Sequence, residues 1–253
     1  MPISIDYGWL QQFMLAAVRV TLFLVIAPPF AYRGFPARVK AMLAIGLALA
    51  LSPQFATPAG AAGAGEFITA LTVEAVGGAV LGLLVMVVFA AVQSAGNLID
   101  VFGGFQLAQA FDPQAMVNGA QFTRLFQFVA LALLFVTGGY QLILAGLARS
   151  FTAVPPGGSV EFSDPVALAA TLVTELFLAA VQIAGPLLIV LFLADAGLGL
   201  LTRVAPALNA FALGFPLKIL VTLMLVPIVV VAIPHVIDSL TRDALALLPG
   251  AGR

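Results

Sequence analysis

The feature that most constrains this chain is a set of long segments that contain no Asp, Glu, Lys or Arg. A membrane-spanning helix needs roughly 20 mainly apolar residues, and these segments reach or approach that length. They are continuously apolar and do not alternate, which favours helices over a barrel. Inside lipid only these two structures satisfy their own backbone hydrogen bonds. The sequence therefore predicts an all-α membrane protein. The five segments are Ala41–Gly65, Ala75–Ile99, Leu125–Ala148, Leu176–Ala194 and Ile219–Ile237.

The composition excludes several other classes of protein. The chain is 62% hydrophobic and 8% charged, whereas soluble domains are about 45–50% apolar and about 25% charged. Its 10 basic and 11 acidic residues leave the net charge near zero, so no basic surface suggests a nucleic-acid partner. The absence of Cys excludes disulfides, thiol nucleophiles and zinc–thiolate sites.

Turn residues divide the chain into six predicted apolar segments. The second is short, so it either dips into the membrane or packs inside protein. The N-terminus lacks the basic residues of a cleavable signal peptide, so the first segment is expected to be an uncleaved insertion signal. The distribution of Lys and Arg between the loops places both termini outside the cytoplasm. The segments span approximately residues 9–30, 39–51, 66–92 (an extension to 109 is left open), 121–148, 165–193 and 213–236.

Small residues recur at four-residue spacing in two places, which puts them on one helix face. Glycine at this spacing lets a second backbone approach closely and favours helix association in lipid. We therefore predict close helix packing at both places, within this chain or between subunits. The two sets are Glu74, Gly78 and Gly82, and Gly96, Asp100 and Gly104.

Four charged residues lie in or at the edge of the apolar segments, namely Arg19, Glu74, Glu175 and Asp195. A charge at the bilayer centre costs about 2.5–3.5 kcal/mol, so such residues usually face a partner or a watery cavity. A proton or ion pathway is one interpretation. An ion pair or a hydrogen-bonded cap within a helix bundle is the favoured one, because the four charges follow no repeated pattern. The single histidine, His235, cannot form a metal site or a catalytic triad alone.

The stretch Phe102–Gly119 contains glycines, aromatic residues and Met116 with almost no charge. Its Asp-Pro and Asn-Gly pairs are turn signals, so it is predicted to be a loop. An apolar loop lacks backbone partners in open lipid and must lie inside protein or line a cavity. It is either the gate or plug of a pore, since apolar constrictions close by excluding water, or a connector buried at a subunit interface.

The sequence shows no enzyme motif. It lacks a Gly-x-Ser-x-Gly elbow, a P-loop, a His-Glu-x-x-His pair and a dinucleotide fingerprint, so no catalytic, cofactor-binding or metal-binding residues are predicted. A stand-alone secondary transporter is an alternative, because Glu74, Glu175 and proline-broken helices resemble a midplane binding site. The two halves of the chain lack the repeat symmetry that such a transporter usually shows.

A series of short motifs from about Arg19 to Lys218 resembles the FliR family of flagellar export-gate proteins, whose injectisome counterpart is the T-type export-apparatus subunit. The last block is the most specific. The motifs are Arg19 followed by Ala27-Pro-Pro-Phe30, Phe35-Pro-Ala-Arg-Val-Lys40, Leu49-x-Leu-Ser-Pro53, Glu74-x-x-Gly-Gly78 with Gly82, Gln93-x-x-Gly96-x-x-x-Asp100-x-x-Gly-Gly104, Phe111-Asp-Pro113, Ser150-Phe-x-x-x-Pro155, Pro186, and Asp195-x-x-Leu-Gly-Leu-Leu-Thr-Arg203-x-x-Pro206-x-x-Asn209-x-Phe211-x-x-Gly-Phe-Pro-Leu-Lys218.

The resemblance implies a non-enzymatic subunit of the flagellar type III export gate, in the bacterial inner membrane at the flagellar basal body. It implies a ring with FliP-like and FliQ-like subunits, contacts with other export-apparatus membrane proteins, and unfolded flagellar proteins as substrate. Residues 1–164 would be the FliP-like part and residues 165–253 a FliQ-like helical hairpin. The stretch 104–119 would be the pore's plug. The injectisome equivalent remains an alternative.

Particular residues are expected to serve this gate. Gly78 and Gly82 would pack helices, and the remaining candidates fall into three groups. The junction between helix and loop would contain Gly96, Asp100, Gly103 and Gly104; the apolar closure would contain Phe105, Phe111, Asp112, Pro113 and Met116; and subunit contacts or the pore mouth would use Arg203, Pro206, Asn209 and Lys218.

Overall fold

The computed structural model describes residues 7–32, 34–55, 63–106, 121–158, 165–205 and 210–246. These residues form α-helices joined by turns and one 3₁₀ turn at Ser52–Gln54, with no strand in the described ranges, which confirms the all-α prediction. The helices are α1 (Tyr7–Ile26), α2 (Ala37–Leu51), α3 (Ala64–Phe102), α4 (Gln121–Val136), α5 (Gly139–Ala153), α6 (Pro165–Val204) and α7 (Ala210–Ala246).

Two of these helices run further than the sequence predicted: α6 continues past residue 193 to Val204, and α7 begins before residue 213 and ends after residue 236. Helix α3 is continuous over 39 residues and ends at Phe102, within the extension to residue 109 that the sequence left open. Proline does not interrupt α6 or α7, although Pro186 lies inside the former and Pro227 inside the latter. Neighbouring helices can compensate the hydrogen bonds that proline removes.

The fourth predicted segment was wrong as a single helix. It breaks at Thr137–Gly138 into α4 and α5, which meet at an angle of 74°. Gly138 has a φ of +72°, a left-handed conformation that glycine adopts without steric cost. No charged residue marks the break, but the Gly138-Gly139 pair within it is a turn signal.

Four helices are long and apolar enough to cross a membrane, and the bent pair α4–α5 raises the number to five if it counts as one span. The structure therefore replaces the six predicted segments with four or five candidate spans in the described residues. Helix α2 is not among them, because its 15 residues extend only about 22 Å, less than the roughly 30 Å hydrocarbon core.

The first compact unit contains the described residues of 1–87, 138–169 and 241–253. Its core is formed by one face of α1 against α2 and α5. Val20, Phe23 and Leu24 of α1 are buried there with Ala44 of α2 and Phe151 of α5. The small Ala44 lets α2 lie close to α1, as expected where two helices exclude lipid through tight packing.

The second compact unit contains the described residues of 88–137 and 170–240. In it α6 and α7 run antiparallel. Leu198 of α6 approaches Gly214 of α7, and further along the two helices Leu176 and Val236 both pack against the cluster of Val88, Ala91 and Ala179. The middle of α6 is buried at Ile183, Ala184 and Leu187, whereas much of its remaining surface exposes large apolar side chains.

Candidate functional site

A buried ion pair joins α1 to α3 in the first unit. Arg19 and Glu74 are 2% and 0% exposed. The guanidinium donates from Nε to Oε2 of Glu74 and from Nη2 to Oε1 at 2.9 Å, so the pair is bidentate. Charge-assisted bidentate pairs combine strength with a fixed geometry. The favoured interpretation of the intramembrane charges is thus confirmed for these two residues.

The end of α5 and the turn after it complete the surroundings of this pair. Arg19 Nη1 donates to the carbonyl oxygens of Ser150 and Val154, each at 3.0 Å, and the Phe151 ring centroid lies 4.5 Å from the guanidinium carbon. The backbone N–H of Gly157 donates to Glu74 Oε1 at 3.0 Å. Both charges therefore have partners within the chain, as buried charges require.

The two glycines that follow Glu74 allow α3 to approach α1. A Cβ at Gly78 would lie only 2.2 Å from the carbonyl oxygen of Arg19, and one at Gly82 would lie 2.8 Å from Cβ of Ile26. Side chains cannot occupy either position without moving α1. The predicted close packing is found here, and it occurs within the chain.

A second enclosed carboxylate, Asp100, binds the start of α4. It is fully buried and accepts hydrogen bonds from the backbone N–H groups of Phe122 at 2.9 Å and Thr123 at 3.0 Å. The Thr123 hydroxyl donates to it at 2.9 Å. The first N–H groups of a helix lack partners within the helix, and a negative charge stabilises that end. Asp100, a residue of α3, thus caps the N-terminal end of α4.

Gly96 lies one turn before Asp100 and makes this contact possible. A Cβ there would lie 2.6 Å from the carbonyl oxygen of Phe122 and 2.7 Å from Cα of Thr123. The start of α4 therefore rests directly on the backbone of α3. The spacing of Gly96 and Asp100 in the sequence predicted such an approach, although it did not identify α4 as the partner.

The chain leaves α3 at the same place. Gly104 has a φ of +83°, which reverses the chain, and the Phe105 ring packs edge-on against Phe122 with the ring centroids 4.9 Å apart. Gln106 Nε2 donates to the Asn97 side chain at 3.1 Å. Both ends of the intervening stretch are therefore fixed on the last turns of α3. We call this arrangement the loop stem; it comprises Gly96, Asn97, Asp100, residues 103–106, Phe122 and Thr123.

Thr222 of α7 lies beside the loop stem. Its hydroxyl would be 3.0 Å from a Cβ at Gly103, and the side chain is fully buried. Within the described residues this hydroxyl has no hydrogen-bond partner. A buried unsatisfied polar group is destabilising.

An open ion pair lies on the α6–α7 hairpin. Lys218 Nζ is 2.7 Å from Asp195 Oδ1, and the side chains are 19% and 47% exposed respectively. Lys218 was predicted to be a subunit contact or part of a pore mouth, and its pairing with Asp195 was not predicted. Arg203, in the last turn of α6, is exposed, and a basic residue is electrostatically favourable at that helix end.

Several predicted residues lie outside the described ranges or away from these clusters. Phe111, Asp112, Pro113 and Met116 of the predicted closure are outside the described residues, as are Pro206 and Asn209. Glu175 is half-buried and His235 is exposed. In the ranges that the structure does describe, no three His, Asp or Glu side chains could hold a metal ion together.

Comparison with known proteins identifies the family. The sequence model of the bacterial export proteins, family 1, matches residues 10–244. The chain belongs to this family. It is 32% identical over 252 residues to the flagellar biosynthetic protein FliR of Bacillus subtilis, covering 93% of this chain and 95% of that protein. It is 30% identical over 251 residues to FliR of Escherichia coli, with 96% and 95% covered.

A relative named as a secretion system apparatus protein matches a smaller part of the chain. The secretion system apparatus protein SsaT of Salmonella typhimurium is 32% identical over 155 residues, which cover 61% of this chain and 60% of that protein. The family resemblance that the motifs indicated is confirmed.

Proposed function

We propose that this chain is a non-enzymatic subunit of the flagellar type III export apparatus and helps to form the membrane pore through which unfolded flagellar proteins leave the cytoplasm. One observation carries the proposal: relatives named flagellar biosynthetic protein FliR align with 93% and 96% of the chain. The secretion system relative SsaT aligns with only 61%, which favours the flagellar system over the injectisome.

The partners that we propose are FliP-like and FliQ-like membrane subunits in a hetero-oligomeric ring, together with other membrane proteins of the apparatus. The exposed apolar face of α2 favours coverage by a neighbouring protein, because this helix is too short to span a bilayer. Its exposed fractions are 73% at Met42, 49% at Ile45 and 46% at Leu49. The location that follows is the bacterial inner membrane at the flagellar basal body, with residues 1–164 FliP-like and residues 165–253 FliQ-like.

We further propose that the stretch 104–119 closes the pore in the resting state. The loop stem supports this role, because Asp100 binds the returning end of the stretch and Phe105 packs its departing end onto Phe122. The apolar composition of the stretch is suited to excluding water.

The solute-transporter alternative loses one of its supports. Glu74 was one of its two candidate carboxylates, but this side chain is 0% exposed and already paired with Arg19 and with the Gly157 amide. A carboxylate enclosed in this way has no site for a second ion. Glu175 alone does not form a converging polar site.

The test is a mild-detergent pull-down of the tagged chain from its native membranes, followed by mass spectrometry and size measurement. We expect FliP-like and FliQ-like proteins in one large complex, and restored motility when the chain is returned to a deletion strain. Isolation of the chain alone in several detergents, together with solute uptake by vesicles that contain only this chain, would contradict the proposal.

A further inference from the structure

The two ends of the connection between α3 and α4 are held by hydrogen bonds of different kinds. At the start of α4, the buried Asp100 carboxylate accepts two backbone N–H groups and one hydroxyl, at 2.9, 3.0 and 2.9 Å. At the end of α3, the turn 103–106 is held by the backbone N–H groups of Gly104 and Gln106, which donate to α3 carbonyl oxygens at 3.3 Å. An exposed side-chain bond from Gln106 to Asn97 at 3.1 Å is added to these.

The difference in bonding indicates which end separates first. Hydrogen bonds to a charged acceptor are roughly twice as strong as those between neutral groups. Bonds of 3.3 Å are longer than the usual range of about 2.7–3.2 Å, and water competes with an exposed side-chain bond. The turn 103–106 is therefore expected to leave α3 while Asp100 still holds the start of α4.

Helix α7 places an unsatisfied hydroxyl beside this turn. Thr222 is fully buried, and among the residues that the structure describes its Oγ1 has no hydrogen-bond partner. The hydroxyl lies 3.0 Å from the position of a Cβ at Gly103, so it lies against the turn instead of bonding to its own helix. Other helical threonines do bond to the carbonyl oxygen four residues earlier, namely Thr21, Thr69, Thr72 and Thr174.

The two glycines of the turn let it lie on α7 and change direction there. A Cβ at Gly103 would be 3.0 Å from the Thr222 hydroxyl, and one at Gly104 would be 3.0 Å from Cδ1 of Phe215. Phe215 and Thr222 are about two turns apart and share a face of α7. Gly104 has a φ of +83°, and glycine adopts positive and negative φ about equally readily. A rotation at Gly104 can therefore redirect the chain beside α7 without a steric penalty.

We infer that the turn 103–106 is a latch with two positions. In the first position it is bonded to Asn97 on α3. In the second it leaves α3, and a backbone carbonyl oxygen of the turn accepts a hydrogen bond from the Thr222 hydroxyl, while Asp100 still holds α4. This new bond offsets part of the loss on α3. That the latch controls a pore rests on the proposed function, whereas the two positions of the turn do not.

The first experiment measures backbone hydrogen exchange by mass spectrometry in the complex purified from native membranes. Exchange reports local opening of hydrogen bonds. The amides of Gly104 and Gln106 should be at least about tenfold less protected than those of Phe122 and Thr123, which donate to Asp100. Equal protection at the two ends would overturn the inference. Purification of the wild-type chain without FliP-like and FliQ-like partners would instead contradict the proposed function.

Substitutions of Thr222 test the second position. Thr222→Val removes the hydroxyl that this position requires and should slow exchange at Gly104 and Gln106 by about two- to tenfold, the effect of one neutral hydrogen bond. Thr222→Ser retains the hydroxyl and should exchange like wild type. The matched control is Thr174→Val, which removes a hydroxyl that bonds to its own helix and should leave the turn unchanged. Unchanged or faster exchange of the turn in Thr222→Val would overturn the inference.

An additional variant keeps the inference testable if Thr222→Val does not fold. Asn97→Ala removes the exposed bond of the first position and should accelerate exchange at Gln106 by about two- to tenfold. Exchange at Phe122 and Thr123 should stay at the wild-type rate, because their bonds to Asp100 do not involve Asn97. Acceleration in the same proportion at both ends would show that they open as one unit and would overturn the inference.

Discussion

The two ion pairs of this protein have the same chemistry and opposite surroundings. Arg19 and Glu74 are 2% and 0% exposed. Backbone groups of Ser150, Val154 and Gly157 form further hydrogen bonds with the two charged side chains. Lys218 and Asp195 are 19% and 47% exposed and are joined by one contact. The first pair is complete within the chain, whereas the second still presents charge to its surroundings.

The glycines near each pair show the same contrast. Beside the enclosed pair, a Cβ at Gly78 would collide with the backbone of α1 at 2.2 Å, but beside the open pair a Cβ at Gly199 would meet nothing within 4 Å. A small residue next to a charge therefore serves the fold in one region and leaves a surface accessible in the other. Burial and contacts, and not residue type, distinguish an enclosed ion pair from a partly exposed one.

The largest effect is expected at the enclosed pair. Glu74→Ala leaves the Arg19 charge buried without its partner, which destabilises a protein by about 3–5 kcal/mol. The midpoint of thermal unfolding in detergent should fall sharply, and little folded protein should be recovered from membranes. Replacing both members, Arg19→Met with Glu74→Gln, should recover part of the loss. A midpoint like that of wild type in Glu74→Ala would contradict the description of this pair as structural.

The next effect concerns the loop stem, the other enclosed carboxylate. Asp100→Ala removes the acceptor for two backbone N–H groups of α4 and should cost about 1–3 kcal/mol. Because the stem also fixes the proposed closure, membranes with this variant should leak ions. The comparison variant is Phe111→Gly with Met116→Gly, which should leak with little change in the unfolding midpoint. Unchanged conductance in both variants would argue against a closure in this stretch.

A smaller effect should separate the glycines of the two regions. Gly78→Ala forces α1 and α3 apart and should destabilise the chain by about 1–3 kcal/mol. Gly199→Ala is the matched substitution at an open position and should leave the stability unchanged or raise it by up to about 1 kcal/mol, since Ala favours helix. Thermal unfolding in detergent measures both. Similar unfolding midpoints for the two variants would contradict the distinction between a glycine that packs two helices and a glycine at an open position.

The smallest effect is expected at Thr222, a buried polar group that lacks a partner among the described residues. Thr222→Val keeps the shape and removes the hydroxyl, so it should stabilise the chain by roughly 1 kcal/mol. A clear loss of stability would show instead that the hydroxyl makes a hydrogen bond in the membrane. That result would indicate a second arrangement of the loop stem.

The sequence predicted the helices and the close packing better than the pairing of charges. Uncharged apolar runs fix where helices form because lipid requires internal hydrogen bonding, and the spacing of Gly96 and Asp100 indicated a close approach. Arg19 and Glu74 are 55 residues apart, so their pairing depends on how α1, α3 and α5 pack. The break at Gly138 was missed because no charged residue interrupts the segment there, although the Gly138-Gly139 pair is a turn signal.

The pairing of Asp195 with Lys218 was predictable in principle. Asp195 lies nine residues before the end of α6 and Lys218 eight residues after the start of α7, so an antiparallel arrangement of the two helices brings them together. The predicted segments ended at residue 193 and began at residue 213, which left Asp195 outside the helices. The roles of Phe111 and Met116 remain predictions, since these residues lie outside the described ranges.

The most direct test measures the stability of Glu74→Gln and Asp195→Asn, prepared in parallel from native membranes. We expect Glu74→Gln to lower the unfolding midpoint strongly, whereas Asp195→Asn should change stability by less than about 1 kcal/mol, as partly exposed pairs do. An equal loss of stability in the two variants would contradict the separation of an enclosed structural pair from a partly exposed one.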